Sequence, residues 1–169
     1  MDIKIGGIPI PPVAGHSFSH TYTWLLRKKR YRMMDMSLKS QVLQGRKLKV
    51  TISANGWMPE GLAGLDVSQP MTIECAAPMS VSGTHIITLP TDYRTDIGIT
   101  GYAVIEGELV EVNVDTVVGR VVTLAVNASA EYYTVSYVPV FTADVTEPEH
   151  SSNIDGLANY SWTITAEEI

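Results

Sequence analysis

Cysteine is nearly missing from this 169-residue sequence, and Cys75, its one thiol, leaves nothing for a disulfide within the chain. It stands in "MTIECAAP", an apolar, strand-like setting in which an unpaired cysteine behaves as a small buried hydrophobe. Long apolar runs are also lacking. None approaches the roughly 18 residues of a membrane helix, and "MDIKIGGIPIPP" has neither the charged start nor the cleavage signal of a secretory peptide. The expectation is a chain made in the cytoplasm, without membrane insertion. Histidine is sparse: His16, His20, His85 and His150 show no zinc-like pairing, and "EPEH" at Glu147 to His150 reads as a solvated acidic loop. "TDYRTDIG" lacks the run of oxygen ligands that a calcium loop needs. No metal site is expected.

Signatures of catalysis are equally scarce. "GHSFSH" brings Ser17, Ser19, His16 and His20 close in sequence, but a strand spacing of two offers no strained nucleophile elbow, and no Gly-x-Ser-x-Gly occurs. "ANGWMPEG" has no Walker lysine to make a phosphate cradle. The sequence therefore reads as a non-enzyme, with no catalytic residue and no cofactor.

Basic charge is concentrated at one end. Residues 1–58 hold ten Lys or Arg against Asp2 and Asp35, a balance of +8, whereas residues 59–169 hold only Arg94 and Arg120 against sixteen acids, a balance of −14. Such a chain suits copies of itself meeting basic face to acidic face. The densest run is "RKKRYR", where Arg27, Lys28, Lys29, Arg30 and Arg32 flank Tyr31; Lys47 and Lys49 follow. Phosphate neutralisation with aromatic stacking is one use of this pattern, and a charged sheet edge is another. The acid-rich remainder repels DNA, so these seven cations are read as a subunit-interface patch.

Helical stripes are short, and strand signals dominate. In "SFSHTYTWLL" Phe18, His20, Tyr22 and Trp24 share one face; in "RKLKVTISA" Leu48, Val50 and Ile52 point inward and Lys47, Lys49 and Thr51 outward. At the end of the chain, Tyr160, Trp162, Ile164 and Ala166 alternate with Ser161, Thr163 and Thr165 as a core strand. "ANGWMPEGLAGLD" is the exception: Pro59 suits a first helical turn, Leu62 and Leu65 lie three apart, and Asp66 ends the segment, which predicts about two turns of helix. Gly56, Trp57, Leu62, Leu65 and Asp66 then form a structural corner. The fold class expected is mainly β, a sandwich or barrel with one short α-helix. Residues 1–169 read as a single β-rich domain, with a candidate inserted β lobe at about 90–142 and an acidic loop at 144–159.

Lys47, Leu48, Ile52, Gly56, Trp57, Pro59, Gly61, Leu62, Leu65, Asp66, Pro70, Ile73 and Cys75, followed by "YSWTITAEE" with Tyr160, Ser161, Trp162, Glu167 and Glu168, carry a resemblance. The sequence resembles the distal tail proteins, tail-tip or baseplate structural proteins of long-tailed bacteriophages. The match covers the first half of the chain and its last ten residues. The resemblance implies a tail-tube-like β-sandwich flanked by a helix and a hexameric ring joining the tail tube to tip, hub or fibre proteins. It also implies a place in the virion tail tip, after assembly in the host cytoplasm, with DNA only as channel contents. Some members carry a carbohydrate-binding module. The alternative reading is accordingly a carbohydrate-binding β-sandwich at the tail tip, with Tyr132, Tyr133 or Tyr137 stacking on sugars.

Overall fold

The computed structural model describes residues 3–10, 17–26, 28–42, 45–56, 61–62, 64–146, 148–153 and 159–169. Its strands, in chain order, begin with β1 (Lys4–Ile5), β2 (Ile8–Pro9), β3 (Ser17–Leu25), β4 (Lys28–Arg32), β5 (Leu38–Val42) and β6 (Lys47–Gly56). They continue with β7 (Met71–Glu74), β8 (Met79–Gly83), β9 (Ile86–Thr88), β10 (Asp92–Tyr93), β11 (Ile99–Ile105) and β12 (Glu108–Val112). The last are β13 (Val114–Val118), β14 (Val121–Leu124), β15 (Tyr132–Tyr137), β16 (Pro139–Val145), β17 (Glu149–Asn153) and β18 (Asn159–Glu168). The protein is mainly β with several sheets, and two compact units are recognised, Met1–Pro9 with Thr72–Phe141 and Ile10–Met71 with Thr142–Ile169.

In the first unit, β12-β11-β15-β8 form a four-stranded antiparallel sheet and β13-β14-β9 a three-stranded one. Alternation explains why both bury one face: Ala103 from β11, Val122 and Leu124 from β14, and Tyr133, Val135 and Tyr137 from β15 meet Ile87 and Leu89 in one cluster. Two tight turns define the registers. Glu106 and Gly107 both have positive φ between the paired Ile105 and Glu108, the geometry of a two-residue hairpin loop. The same is true of the Gly119-Arg120 connection between the paired Val118 and Val121, where Gly119 takes the positive φ. Gly101 serves a different need, because a Cβ there would collide with the buried Leu124 side chain.

In the second unit, β18 is paired along nearly its whole length with β6, from Tyr160↔Gly56 to Glu167↔Lys49. It also pairs with β17 and with the end of β16. On its other side β6 pairs with β3, from Ser17↔Asn55 to Leu25↔Lys47. The alternation read in the sequence is realised here. Leu48, Val50 and Ile52 are buried while their neighbours are half-exposed, and Trp162, Ile164 and Ala166 are buried from the facing strand. The acid-rich stretch 144–159 carries the end of β16 and the whole of β17.

The short helix expected after Gly56 is corrected: the described residues contain no helix. Residues 57–60 and 63 lie outside the described residues, and the rest of the segment is turns. The amide of Leu65 donates to the Leu62 carbonyl at 2.9 Å and that of Val67 to the Leu65 carbonyl at 3.1 Å. Asp66 then accepts from the Ser68 amide at 3.0 Å and its hydroxyl at 2.6 Å. Helix nucleation is unfavourable over so few residues, and an aspartate offering local backbone bonds favours the turn.

Candidate assembly surface

β4 and β5 form a two-stranded antiparallel ribbon, Lys28↔Val42 to Arg32↔Leu38. All ten of its residues are exposed. The loop that closes it, Met33–Ser37, is built by local chemistry. The Met36 amide donates to the Met33 carbonyl at 3.0 Å, and Met36 has φ 65°, so a type I turn is followed by a left-handed residue. The Met33 amide donates to the Ser37 carbonyl at 2.9 Å, completing the ladder. Asp35 accepts from the Ser37 hydroxyl and amide, and these bonds hold its carboxyl below the usual carboxylate range.

The cations expected to form an interface patch separate into two groups. Lys47 Nζ donates to the Ile169 carbonyl at 2.7 Å, and Lys49 Nζ lies 2.9 Å from Glu167 Oε1. Both are thus engaged within their own unit. Lys28, Lys29, Arg30 and Arg32, with Lys39 of β5, form no ion pair among the described residues. Arg27 lies outside the described residues. The ribbon also exposes Tyr31, Leu38 and Val42, with Met33, Met34 and Met36 in its loop. Charge and apolar surface therefore share one exposed element.

The residues expected to form a structural corner are placed as follows. Gly56 ends β6 buried and opposite Tyr160, Leu62 is buried, Leu65 is half-buried and Asp66 is exposed; Trp57 lies outside the described residues. Tyr160 is half-buried, whereas Trp162 is buried and packs edge-on against Phe18 with ring centroids 6.0 Å apart. Gly56 and Tyr160, far apart in sequence, are brought together by the β6–β18 pairing.

A surface not anticipated from the sequence lies on β12. This strand ends its sheet and pairs only with β11 among the described strands, and Glu108, Leu109, Val110 and Glu111 are all exposed. Leu109 is 64% and Val110 42% exposed, which matters because neighbouring residues of a strand point to opposite faces. The adjacent Leu-Val pair in "ELVEV" was the available signal, since a strand buried on one face would alternate.

Elsewhere, polar side chains bond to one another and to the main chain. Arg94, 4% exposed, donates to the Cys75 carbonyl at 2.9 Å and grips Asp96 with two bonds of 3.1 and 2.6 Å, while Lys4 pairs with Glu74 at 2.9 Å. The Arg94 contact holds the Asp96 carboxyl below its usual range. Among the described residues no three His, Cys, Asp or Glu side chains gather as a metal site. An open cleft of about 580 Å³ is bordered by Ser82, Thr84, His85, Glu131 and Tyr132. Tyr132 is 46% exposed there, whereas Tyr133 and Tyr137 are buried and the Tyr133 hydroxyl is bonded to the Asn127 backbone.

No protein-family model, curated protein or solved structure matches the chain.

Proposed function

We propose that this chain is a non-enzymatic structural subunit of a bacteriophage tail tip. In this reading it is a distal tail or baseplate protein that closes into a ring, expected to be a hexamer, and joins the tail tube to tip or fibre proteins. Its β units are then variants of the tail-tube-like sandwich, DNA meets it only as channel contents, and it resides in the virion after assembly in the host cytoplasm.

One observation carries the reading: the β4–β5 ribbon is exposed on both faces, bears five cations without carboxylate partners among the described residues, and presents apolar side chains. A lone two-stranded ribbon is marginally stable in water, so it gains from a neighbouring surface. A ring of identical subunits needs two different patches that fit one another, and complementary charge guides their register and association rate. A basic ribbon on an otherwise acid-rich chain meets that requirement. Light scattering or native mass spectrometry across protein and salt concentrations tests it. A closed oligomer that weakens with salt is expected; a monomer at every concentration would overturn the ring.

A second reading, a carbohydrate-binding module at the tail tip, is favoured by the cleft beside Tyr132. An exposed aromatic face next to Glu131, His85, Ser82 and Thr84 suits a sugar ring, which offers an apolar face and a rim of hydroxyls. Tyr132 is the one of the three candidate tyrosines able to stack. Binding on a glycan array that Tyr132→Ala abolishes would support this reading, and an array without hits removes it.

A further inference from the structure

Building on the self-assembly reading, we infer that the outer edge of β4 in one copy adds as an antiparallel strand to the open edge of β12 in a second copy.

Each strand has an edge whose main-chain donors and acceptors have no strand partner among the described residues. Among the described strands, β4 pairs with β5 alone and β12 with β11 alone. An exposed edge of this kind is a template for another strand, and charged side chains on it repel an edge of like charge while admitting one of opposite charge. Both strands are five residues long. Their charges are opposite: Lys28–Val42 carries five cations and one acid, and Glu106–Asp115 carries four acids and no cation.

Main-chain geometry selects the register. The Met33 amide donates to the Ser37 carbonyl across the ribbon, so along β4 the main-chain groups of Lys29 and Tyr31 face β5 and those of Lys28, Arg30 and Arg32 face outward. The Val104 carbonyl accepts from the Glu131 amide on the β15 side, so Ile105 and its partner Glu108 face one another, and on β12 Leu109 and Glu111 face outward. Antiparallel strands oppose outward residues to outward residues, and setting Arg30 opposite Glu111 does so, with Arg32 opposite Leu109 and Tyr31 opposite Val110. Arg30 and Glu111 then form an ion pair, and the exposed Tyr31 and Val110 side chains cover one another. Antiparallel pairing is also the more stable per residue.

The occupant is a second copy because this chain supplies both halves of the complementarity. Joining one patch to a different patch on the next copy is the heterologous contact that rings require. The ribbon's positive and the strand's negative potential also keep like from meeting like: two ribbons repel, and so do two β12 edges.

Site-specific crosslinking is the direct test. Tyr31→Cys and Val110→Cys proteins are made separately, mixed and oxidised. Directly opposed residues of antiparallel strands have Cα atoms about 4.5–5.5 Å apart, within disulfide range. Cys75 is fully buried and does not compete. A covalent dimer from the mixture, with little from either protein alone, is expected. A second arm uses charge reversal: Arg30→Glu and Glu111→Lys each weaken self-association about threefold or more, and a mixture of the two recovers it. Recovery by mixing cannot come from misfolded partners. If the unmodified protein assembles but no crosslink forms and reversal has no effect, this seam is overturned while self-assembly stands. If the unmodified protein is monomeric throughout and no crosslink forms, both fall.

Discussion

Lys49 Nζ lies 2.9 Å from Glu167 Oε1, directly across the β6–β18 pairing, while one residue further along the Glu168 carboxylate accepts the Leu48 backbone amide at 2.8 Å. The two acids are adjacent in sequence but have unequal tasks. The Lys49–Glu167 pair is substantially exposed and contributes at most about 1 kcal/mol, less in salt. Glu168, half-buried, satisfies a main-chain donor where the β18 register ends.

Accordingly, Glu168→Ala is expected to destabilise the protein by about 1–3 kcal/mol, and Lys49→Ala by less than about 1 kcal/mol. Denaturant titration of both variants decides the matter; equal losses would contradict the division.

Met36 occupies the left-handed region at φ 65°, where a side chain costs about 1–2 kcal/mol. Met36→Gly removes that strain from the ribbon loop. Amides of β4 and β5 should exchange more slowly, by about fivefold for a gain of 1 kcal/mol, with little change in the strands of the first unit.

His20 lies half-buried on β3 between Phe18 and Tyr22, and its Nε2 has no hydrogen-bond partner among the described residues. Burial lowers its imidazole pKa. The unfolded chain therefore takes up a proton more readily than the folded one. The associated stability is present above the ordinary value of about 6.5 and is lost as pH falls from there through the folded pKa. His20→Phe should flatten the stability profile below about pH 6.5, as followed by thermal melts at several pH values. An unchanged slope would show that His20 does not drive it.

Arg94 is a buried cation whose donors reach Asp96 and the Cys75 carbonyl. Arg94→Met keeps the apolar stem but strips those bonds from Asp96 and the carbonyl. A loss of about 2–4 kcal/mol is expected, measured by denaturant titration, with a rise in the Asp96 pKa detectable by NMR.

Much of the second unit was legible in the sequence because a strand imposes a period of two on the residues that make it. "KLKVTISA" and "YSWTITAEE" alternate cleanly, and the inward residues read from that pattern are buried except Tyr160, which is half-buried where β18 begins. Cys75 is buried as its apolar setting indicated. The segment after Gly56 misled for a physical reason: Pro59 and an i, i+3 leucine pair satisfy a helix start, but so short a segment has too few bonds to offset nucleation. The candidate surface was half legible. "RKKRYR" announces charge, yet nothing local separates the cations of β4 from Lys49, which has an acid 118 residues away.

The sequence by itself determined the strand-rich composition, the inward faces of the long strands and the uneven division of charge, since these depend on neighbours within a few residues. Tertiary structure alone decided which strands end a sheet. It gave Lys49 a partner on β18, left the β4–β5 ribbon paired only with itself among the described residues, and left Leu109 and Val110 exposed on an edge. Edge positions follow from pairings between distant segments, and a strand's own residues encode its period but not its neighbours.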